Sequence, residues 1–393
     1  MAERLRTTFT GVGFPNPFLL ASAPPTRTAD MMKRALEAGW GGVVTKTIGL
    51  QGATNVRPRF AFWKDDDRIM GMTNFELISD RGLDHWVDQI ADIKAAFPDG
   101  RVVASIMGST DFGDWETLAR AVEAAGADAV ELNVSCPHGM PELHMGAFMG
   151  QDPGLIRGAT AAAVAGTSLP VWVKLTPNVT DIAQMALAAQ EAGAHALAAI
   201  NTVAGLMGID IDTFQPLPSV ANRGAYGGYS GRGIKPIALR AVSASALATG
   251  LPVSASGGIA SWQDAAEFLL AGATTFQICT EVMTRGITII DDLVDGLATY
   301  LESKGFEDLD AARGKALPNI GDFGGLDGGA PSRAEVDADA CVSCGSCEIA
   351  CTDGGFQAIS MNDSAAHVDP GACDGCGLCQ AVCDYGAIDM VRA

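Results

Sequence analysis

VWVKLTPNVTDIAQMALAAQEAGAHALAAIN, residues 171–201, holds two short β-rich runs, 171–175 and 196–201, on either side of an Ala-rich helical stretch, 180–193. A strand carried through a helix to a second strand is the building unit of a parallel sheet. The alternation continues in both directions. Strand-like runs fall at 17–22, 42–47, 102–107, 128–133, 252–256 and 274–279, and helical patterns at 29–38, 81–96, 114–126, 153–166, 236–249, 261–271 and 285–303. Eight strands, each followed by helical sequence, predict an α/β fold of the (β/α)8 TIM-barrel type. A doubly wound open sheet uses the same alternation and is the runner-up.

Barrel chemistry gathers at the C-terminal ends of the strands, so the polar residues closing each apolar run deserve inspection first. They are Ala21-Ser22, Lys46-Thr47, Asn133 with Ser135-Cys136, Lys174, Asn201-Thr202, Gly257-Gly258 and Cys279-Thr280. A single strand-end Lys is commonly a snorkelling or paired residue. Two of them, with amides and a late Gly-Gly, point to a cofactor, because Gly-rich turns after strands seven and eight cradle phosphate and Lys stabilises an electron-rich flavin. The expected group is FMN, its phosphate near Ser230-Gly231, Gly257-Gly258 and Cys279-Thr280. In ELNVSCPHGM (131–140), Asn133 can both donate and accept. Cys136, set in a turn by Pro137 and Gly139, can protonate a substrate carbon, although a lone Cys is more commonly an inert core residue. Asn74 in GMTNFELIS (71–79) is a further loop amide, whereas His138 and His144 have no metal-ligand spacing.

Eight of the ten cysteines fall in two runs near the C-terminus, CVSCGSCEIAC (341–351) and CDGCGLCQAVC (373–383). This is the bacterial-type spacing for two 4Fe–4S clusters, in which the fourth Cys of each run ligates the other run's cluster. One cluster is expected on Cys341, Cys344, Cys347 and Cys383, the second on Cys373, Cys376, Cys379 and Cys351. Structural zinc would not require a third Cys at the next three-residue step, and a disulfide framework belongs to small secreted domains. Thr352 and Asp384 follow the runs where such motifs often have Pro, a change that bears on potential more than on assembly. Clusters pass single electrons whereas reducing a carbon–carbon double bond usually takes a hydride, and a flavin converts between the two. The expected organisation is a barrel over 1–304, a Gly/Pro-rich linker over 305–333, and an α+β 2×(4Fe–4S) ferredoxin domain over 334–393.

The net charge of −20 argues against nucleic acid as a partner. No run of about eighteen apolar residues suggests a membrane span, and MAERLRTTFT lacks the apolar stretch of a secretory signal. Thiolate-bound clusters favour the reducing cytoplasm. Residues 335–393 hold ten acidic residues against Arg392 alone, which suits a basic partner face and equally suits a solvated acidic surface.

These residues resemble a known family. ELNVSCPHGM, the Met145–Pro153 stretch, VKLTPNVTDI (173–182), NTVAGLMG (201–208), YGGYSG (226–231), KPIALRAV (235–242) and both cysteine runs are similar to the flavin half of dihydropyrimidine dehydrogenases, in particular the bacterial PreA-type subunits. The resemblance covers essentially the whole chain. It implies that Ala21, Ser22, Lys46, Asn74, Asn133, Lys174, Ile200, Ser230, Gly231, Gly257, Gly258, Cys279 and Thr280 line FMN. It implies that Asn74, Asn133, Asn201 and Thr202 hold uracil or thymine, with Ser135 beside them, and that Cys136 sits on a mobile loop over the substrate. The implied reaction is hydride transfer from flavin N5 to pyrimidine C6 with a proton from Cys136 to C5. No dinucleotide-binding glycine fingerprint follows a strand and opens a helix here. The resemblance accordingly implies a hetero-oligomer in which a PreT-like flavoprotein subunit carries FAD and the NAD(P)H site.

The chain departs from the family loop, often Glu-Arg-Gly-Met-Gly, by reading Glu142-Leu143-His144-Met145-Gly146, without the Arg. That leaves open a reductase of another N-heterocycle or conjugated alkene. Dihydroorotate dehydrogenases share the barrel, FMN and Asn-x-Ser-Cys-Pro, but those resembling this chain typically have Asn where His138 stands. An electron-transfer subunit with an inactive barrel is the rival from a different class.

Overall fold

The computed structural model describes residues 2–66, 68–362 and 364–392, which divide into two compact units, Met1–Ile320 and Gly321–Ala393. In the first, eight parallel strands form a closed barrel: β1 Phe18–Leu20, β2 Gly42–Val44, β3 Val102–Ile106, β4 Ala129–Asn133, β5 Val171–Leu175, β6 Ala196–Ala199, β7 Val253–Ser256 and β8 Ala273–Ile278. Closure is made by β8 against β1, with Phe276 opposite Phe18 and Ile278 opposite Leu20. That pairing excludes the open-sheet alternative, which would leave both strands as edges.

The outer ring is α1 Ala29–Glu37, α2 Leu83–Ala96, α3 Phe112–Ala124, α4 Pro153–Gly166, α5 Ile182–Glu191, α6 Lys235–Thr249, α7 Trp262–Leu270 and α8 Ile289–Ser303. Several starts are fixed by side chains that accept from otherwise unpartnered helical N–H groups: Thr28, Asp111, Asp152, Asp181 and Ser261 each cap one. The helical pattern expected over 285–303 is α8, which begins at Ile289; a separate short helix, Thr280–Arg285, precedes it and stops at Gly286.

A hairpin, Thr7–Phe9 with Val12–Phe14, plugs the N-terminal mouth. Its Phe9 and Phe14 pack with Leu19, Val44, Val103, Ala129, Trp172 and Ala196 from six successive strands. Trp172 meets the Phe9 ring edge-on at 4.6 Å and donates its indole N–H to Thr10 Oγ1 at 2.9 Å. Sealing this end with apolar bulk leaves the opposite end as the site of polar chemistry. Trp172→Ala is expected to destabilise the barrel by about 3–5 kcal/mol, seen as a lower urea midpoint at unchanged m-value.

Alternation did not foretell a four-stranded antiparallel sheet of Val203–Gly205, Gly227–Ser230, Arg68–Asn74 and Phe60–Asp65. Its strands are inserted in the β2–α2 and β6–α6 loops, and runs such as VAG and GGYS are too short and too Gly-rich to announce themselves. This sheet carries Asn74 and Ser230 to the strand ends.

Residues 305–320, within the stretch expected to be linker, belong instead to the first unit. Gly314 N–H donates to Leu269 O at 2.9 Å and Ala316 N–H to Leu270 O at 3.0 Å, tying this segment to the end of α7. The second unit pairs Ser332–Val336 with Ile388–Arg392 and Ile359–Met361 with Ala366–Val368, alongside helices Ser346–Asp353 and Leu378–Ala381. Its core is a few small aliphatic residues packed among cysteines. Such a core needs a covalent or metal staple to hold a fold of this size. Among the described residues no helix is long and apolar enough to cross a membrane.

Candidate active site

A cavity opens at the C-terminal ends of the strands. Its wall gathers Ala21, Ser22, Lys46, Asn74, Asn133, Cys136, Lys174, Ile200, Asn201, Thr202, Ser230, Gly231, Gly257, Gly258, Cys279 and Thr280. Ser135 is not on that wall. It is fully buried behind it, donating its hydroxyl to Asn133 Oδ1 at 3.0 Å and accepting from Asn201 Nδ2 at 2.9 Å, so it orients two amides instead of facing a ligand.

Asn133 and Asn201 share one network through Ser135. Asn133 Nδ2 donates to Thr47 Oγ1 at 2.9 Å, and the Thr47 hydroxyl also bonds those of Ser22 (3.1 Å) and Ser105 (3.0 Å). Asn201 Oδ1 accepts from Thr202 N–H at 2.8 Å. Asn74 is held by backbone, donating to Gly228 O at 3.0 Å and accepting from Glu76 N–H at 3.1 Å. Asn178, not singled out from sequence, donates to Thr202 O and accepts from Ala204 N–H, pinning the segment after β6. Side chains fixed on both sides present their remaining hydrogen-bonding capacity in set directions, which is what reading a planar heterocycle requires.

Both strand-end lysines are buried and paired. Lys46 Nζ lies 3.2 Å from Glu76 Oε1, while Arg59 holds the other oxygen of the same carboxylate. Burial pulls the Lys46 pKa down, opposed by the attraction of Glu76. Lys174 Nζ donates to Gln277 Oε1 at 2.7 Å and lies 3.3 Å from Glu131 Oε1. Neither Glu76 nor Glu131 was read as functional, although a Lys inside an apolar strand signals that some buried anion must meet it. At another part of the wall Gly257 and Gly258 have φ of +114° and +82°, and a Cβ on Gly258 would fall 2.7 Å from Lys235. This bare backbone turn after β7, with Gly231 and Thr280 beside it, is a cradle of the kind that holds phosphate. Two cationic side chains, a cavity lined by both polar and apolar groups and a backbone cradle are the set that FMN needs, so the residues present fit it.

Cys136 is 7% exposed and packs with Ile78, Met107 and Met140. Its Sγ donates to His138 O at 3.6 Å. Burial raises the thiol's pKa, with Lys46 pulling the other way, so at neutral pH it is a protonated donor. Cys279 is pushed up to about 11 by burial as well. His138 is 8% exposed, and neither ring nitrogen has a partner among the described residues. Burial holds its pKa down to about 4.

An imidazole that folds in its neutral form binds its proton more readily when unfolded. Stability should therefore fall as pH drops from about 6.5 to about 4, by up to about 3 kcal/mol from this residue. His138→Gln should remove that component, measured as the difference between variant and wild-type unfolding free energies across the window.

In the second unit, Cys341, Cys344, Cys347 and Cys383 line one cavity. Cys351, Cys373, Cys376 and Cys379 line another. The sulfurs surround volumes and do not converge on points: among the described residues no three His, Cys, Asp or Glu side chains are placed to share a single ion. That spacing suits a cluster better than zinc. The two halves also match in detail, since Ala358 N–H donates to Cys351 Sγ and Ala387 N–H to Cys383 Sγ, both at 3.3 Å.

Comparison with known proteins agrees with this geometry. A family model described as dihydroorotate dehydrogenase matches residues 4–301, and one described as a 4Fe–4S dicluster domain matches 334–390. The Escherichia coli (strain K12) NAD-dependent dihydropyrimidine dehydrogenase subunit PreA is 41% identical over 367 residues, 92% of this chain and 89% of that protein. The chloroplastic dihydropyrimidine dehydrogenase (NADP(+)) of Arabidopsis thaliana is 38% identical over 327 residues, 80% of this chain and 77% of that protein. The catalytic subunit of dihydroorotate dehydrogenase B (NAD(+)) from Pyrococcus abyssi is 39% identical over 313 residues, 78% of this chain and 97% of that protein. With its barrel matched almost from end to end and relatives at this level of identity, the chain belongs to the dihydroorotate dehydrogenase family and carries a 4Fe–4S dicluster domain C-terminal to the barrel in sequence.

Proposed function

We propose that this chain is the reducing subunit of a dihydropyrimidine dehydrogenase, converting uracil or thymine to the 5,6-dihydropyrimidine. One observation carries the reading: a protonated thiol, Cys136, faces an amide-lined cavity on the same polypeptide that holds two cysteine tetrads. The similarity to the PreA subunit runs through both units, at 367 aligned residues, whereas the Pyrococcus dihydroorotate dehydrogenase subunit is 97% covered by 313. When bound, FMN supplies hydride to the ring and the two 4Fe–4S clusters supply electrons singly.

The chain's own residues do the rest. Asn74, Asn133, Asn201 and Thr202 match the alternating N–H and C=O groups of the pyrimidine, and a ring lacking one of these would leave a buried amide unpaired. Cys136 delivers the proton to C5. Lys46 and Lys174 hold charge at the flavin. Electrons come from NAD(P)H through a PreT-like flavoprotein subunit carrying FAD, for which the acidic second unit is the docking candidate, in a cytoplasmic hetero-oligomer. A reductase of a different N-heterocycle is the second reading. It is favoured by Leu143, which stands 64% exposed where the family loop often has Arg.

The deciding experiment purifies the chain anaerobically with a candidate flavoprotein partner and follows NAD(P)H oxidation with uracil, thymine, orotate or no substrate. Uracil- or thymine-dependent oxidation supports the proposal. Orotate dependence would replace it with dihydroorotate chemistry, and a flavin-free protein would end both.

A further inference from the structure

Each lysine on the cavity wall has a carboxylate of its own, but the two pairs differ. Glu76 is shared between Lys46 and Arg59, so that group stays cationic. Glu131, on β4, is fully buried and meets Lys174 alone. Its second oxygen accepts from Gln277 Nε2 at 2.5 Å, and Gln277 Oε1 in turn accepts from Lys174 Nζ at 2.7 Å. Three side chains from β4, β5 and β8 thus close a ring of hydrogen bonds. Lys174 and Gln277 reach the cavity wall and Glu131 stands behind them.

We infer that Glu131 is a positioning residue that sets the reduction potential of bound FMN by offsetting the charge of Lys174; this rests on the flavin reading above. A flavin gains negative charge on reduction, and an unopposed ammonium in a site shielded from water would favour the reduced form strongly. A carboxylate 3.3 Å behind that ammonium turns the full charge into a dipole. The oxidised and reduced forms are then held more evenly and the potential stays low, preserving driving force toward substrate. Gln277 fixes the ring so that the positive end keeps facing the cavity.

The test is the midpoint potential of FMN in the purified holoprotein. Glu131→Gln keeps the shape and an acceptor for Lys174 but removes the charge. It should raise the potential by about 30 mV or more, equivalent to a tenfold gain in the affinity ratio of reduced over oxidised flavin. Glu131→Asp keeps the charge and should stay close to wild type. An unchanged or lower potential in Glu131→Gln, with FMN fully retained, overturns the inference. Should that variant not hold flavin, Lys174→Gln is compared with Lys174→Gln/Glu131→Gln: the double variant must lie higher, and equality overturns the inference equally. Wild-type protein without flavin absorbance would sink the flavin reading itself, a result visible before any potential is taken.

Discussion

Cys136→Ala is expected to lower pyrimidine turnover by about 10²–10⁴-fold, the usual share of a positioned general acid, while FMN and both clusters stay bound. The side chain is small, and its loop is held by other groups: Ala147 N–H donates to Cys136 O at 2.9 Å, and Met140 N–H to His138 O at 2.8 Å. Removing one sulfur therefore leaves the loop's backbone contacts in place. What disappears is the only proton donor assigned to the substrate carbon. Flavin and iron content, read from absorbance and iron analysis, should match wild type, and the loss should fall mainly on kcat. Near-normal uracil reduction by this variant would remove Cys136 from the chemistry.

The second large effect is at Cys383. It closes the run 373–383 in sequence, but in space it joins Cys341, Cys344 and Cys347 around one cavity. Cys383→Ser should thus strip the cluster of the other run and leave Cys351, Cys373, Cys376 and Cys379 intact. About half of the iron and acid-labile sulfide should be lost. Electron delivery from the partner should fall to near background, whereas FMN reduced chemically should still reduce uracil in a single turnover. Loss of iron from the local tetrad, or uninterrupted partner-driven turnover, would contradict the crossed arrangement. The second unit, with so small a core, should also unfold more readily in this variant.

Much of this architecture was legible because its signals are local. Each barrel strand is a short run buried on both faces, bounded by polar residues, and the cysteine spacing is a fixed pattern. Expected and observed strand starts differ by at most one residue, as with 128–133 against Ala129–Asn133. The strands end early where the site begins: 42–47 closes at Val44, with the Lys46 N–H turned to Thr26 O, and 196–201 closes at Ala199, although the Asn201 N–H still bonds Leu175 O. What stayed hidden depends on partners far apart in sequence. Glu131 acquires its meaning only from Lys174 and Gln277, and Glu76 only from Lys46 and Arg59. Ser135 looked like a ligand contact from its place in the motif, and only the packed structure puts it behind Asn133 and Asn201. The segment 305–320 reads as linker with the Gly/Pro-rich stretch that follows it, whereas the backbone bonds tying it to α7 leave no trace in composition.

The crossed tetrads also bear on biosynthesis. Cys341, Cys344 and Cys347 cannot complete their cavity until Cys383 has been made and folded back. Cys351 likewise waits for Cys373, Cys376 and Cys379, so neither cubane can be loaded on a nascent chain from the first run alone, and scaffold proteins delivering iron and sulfide must act once translation has reached the second.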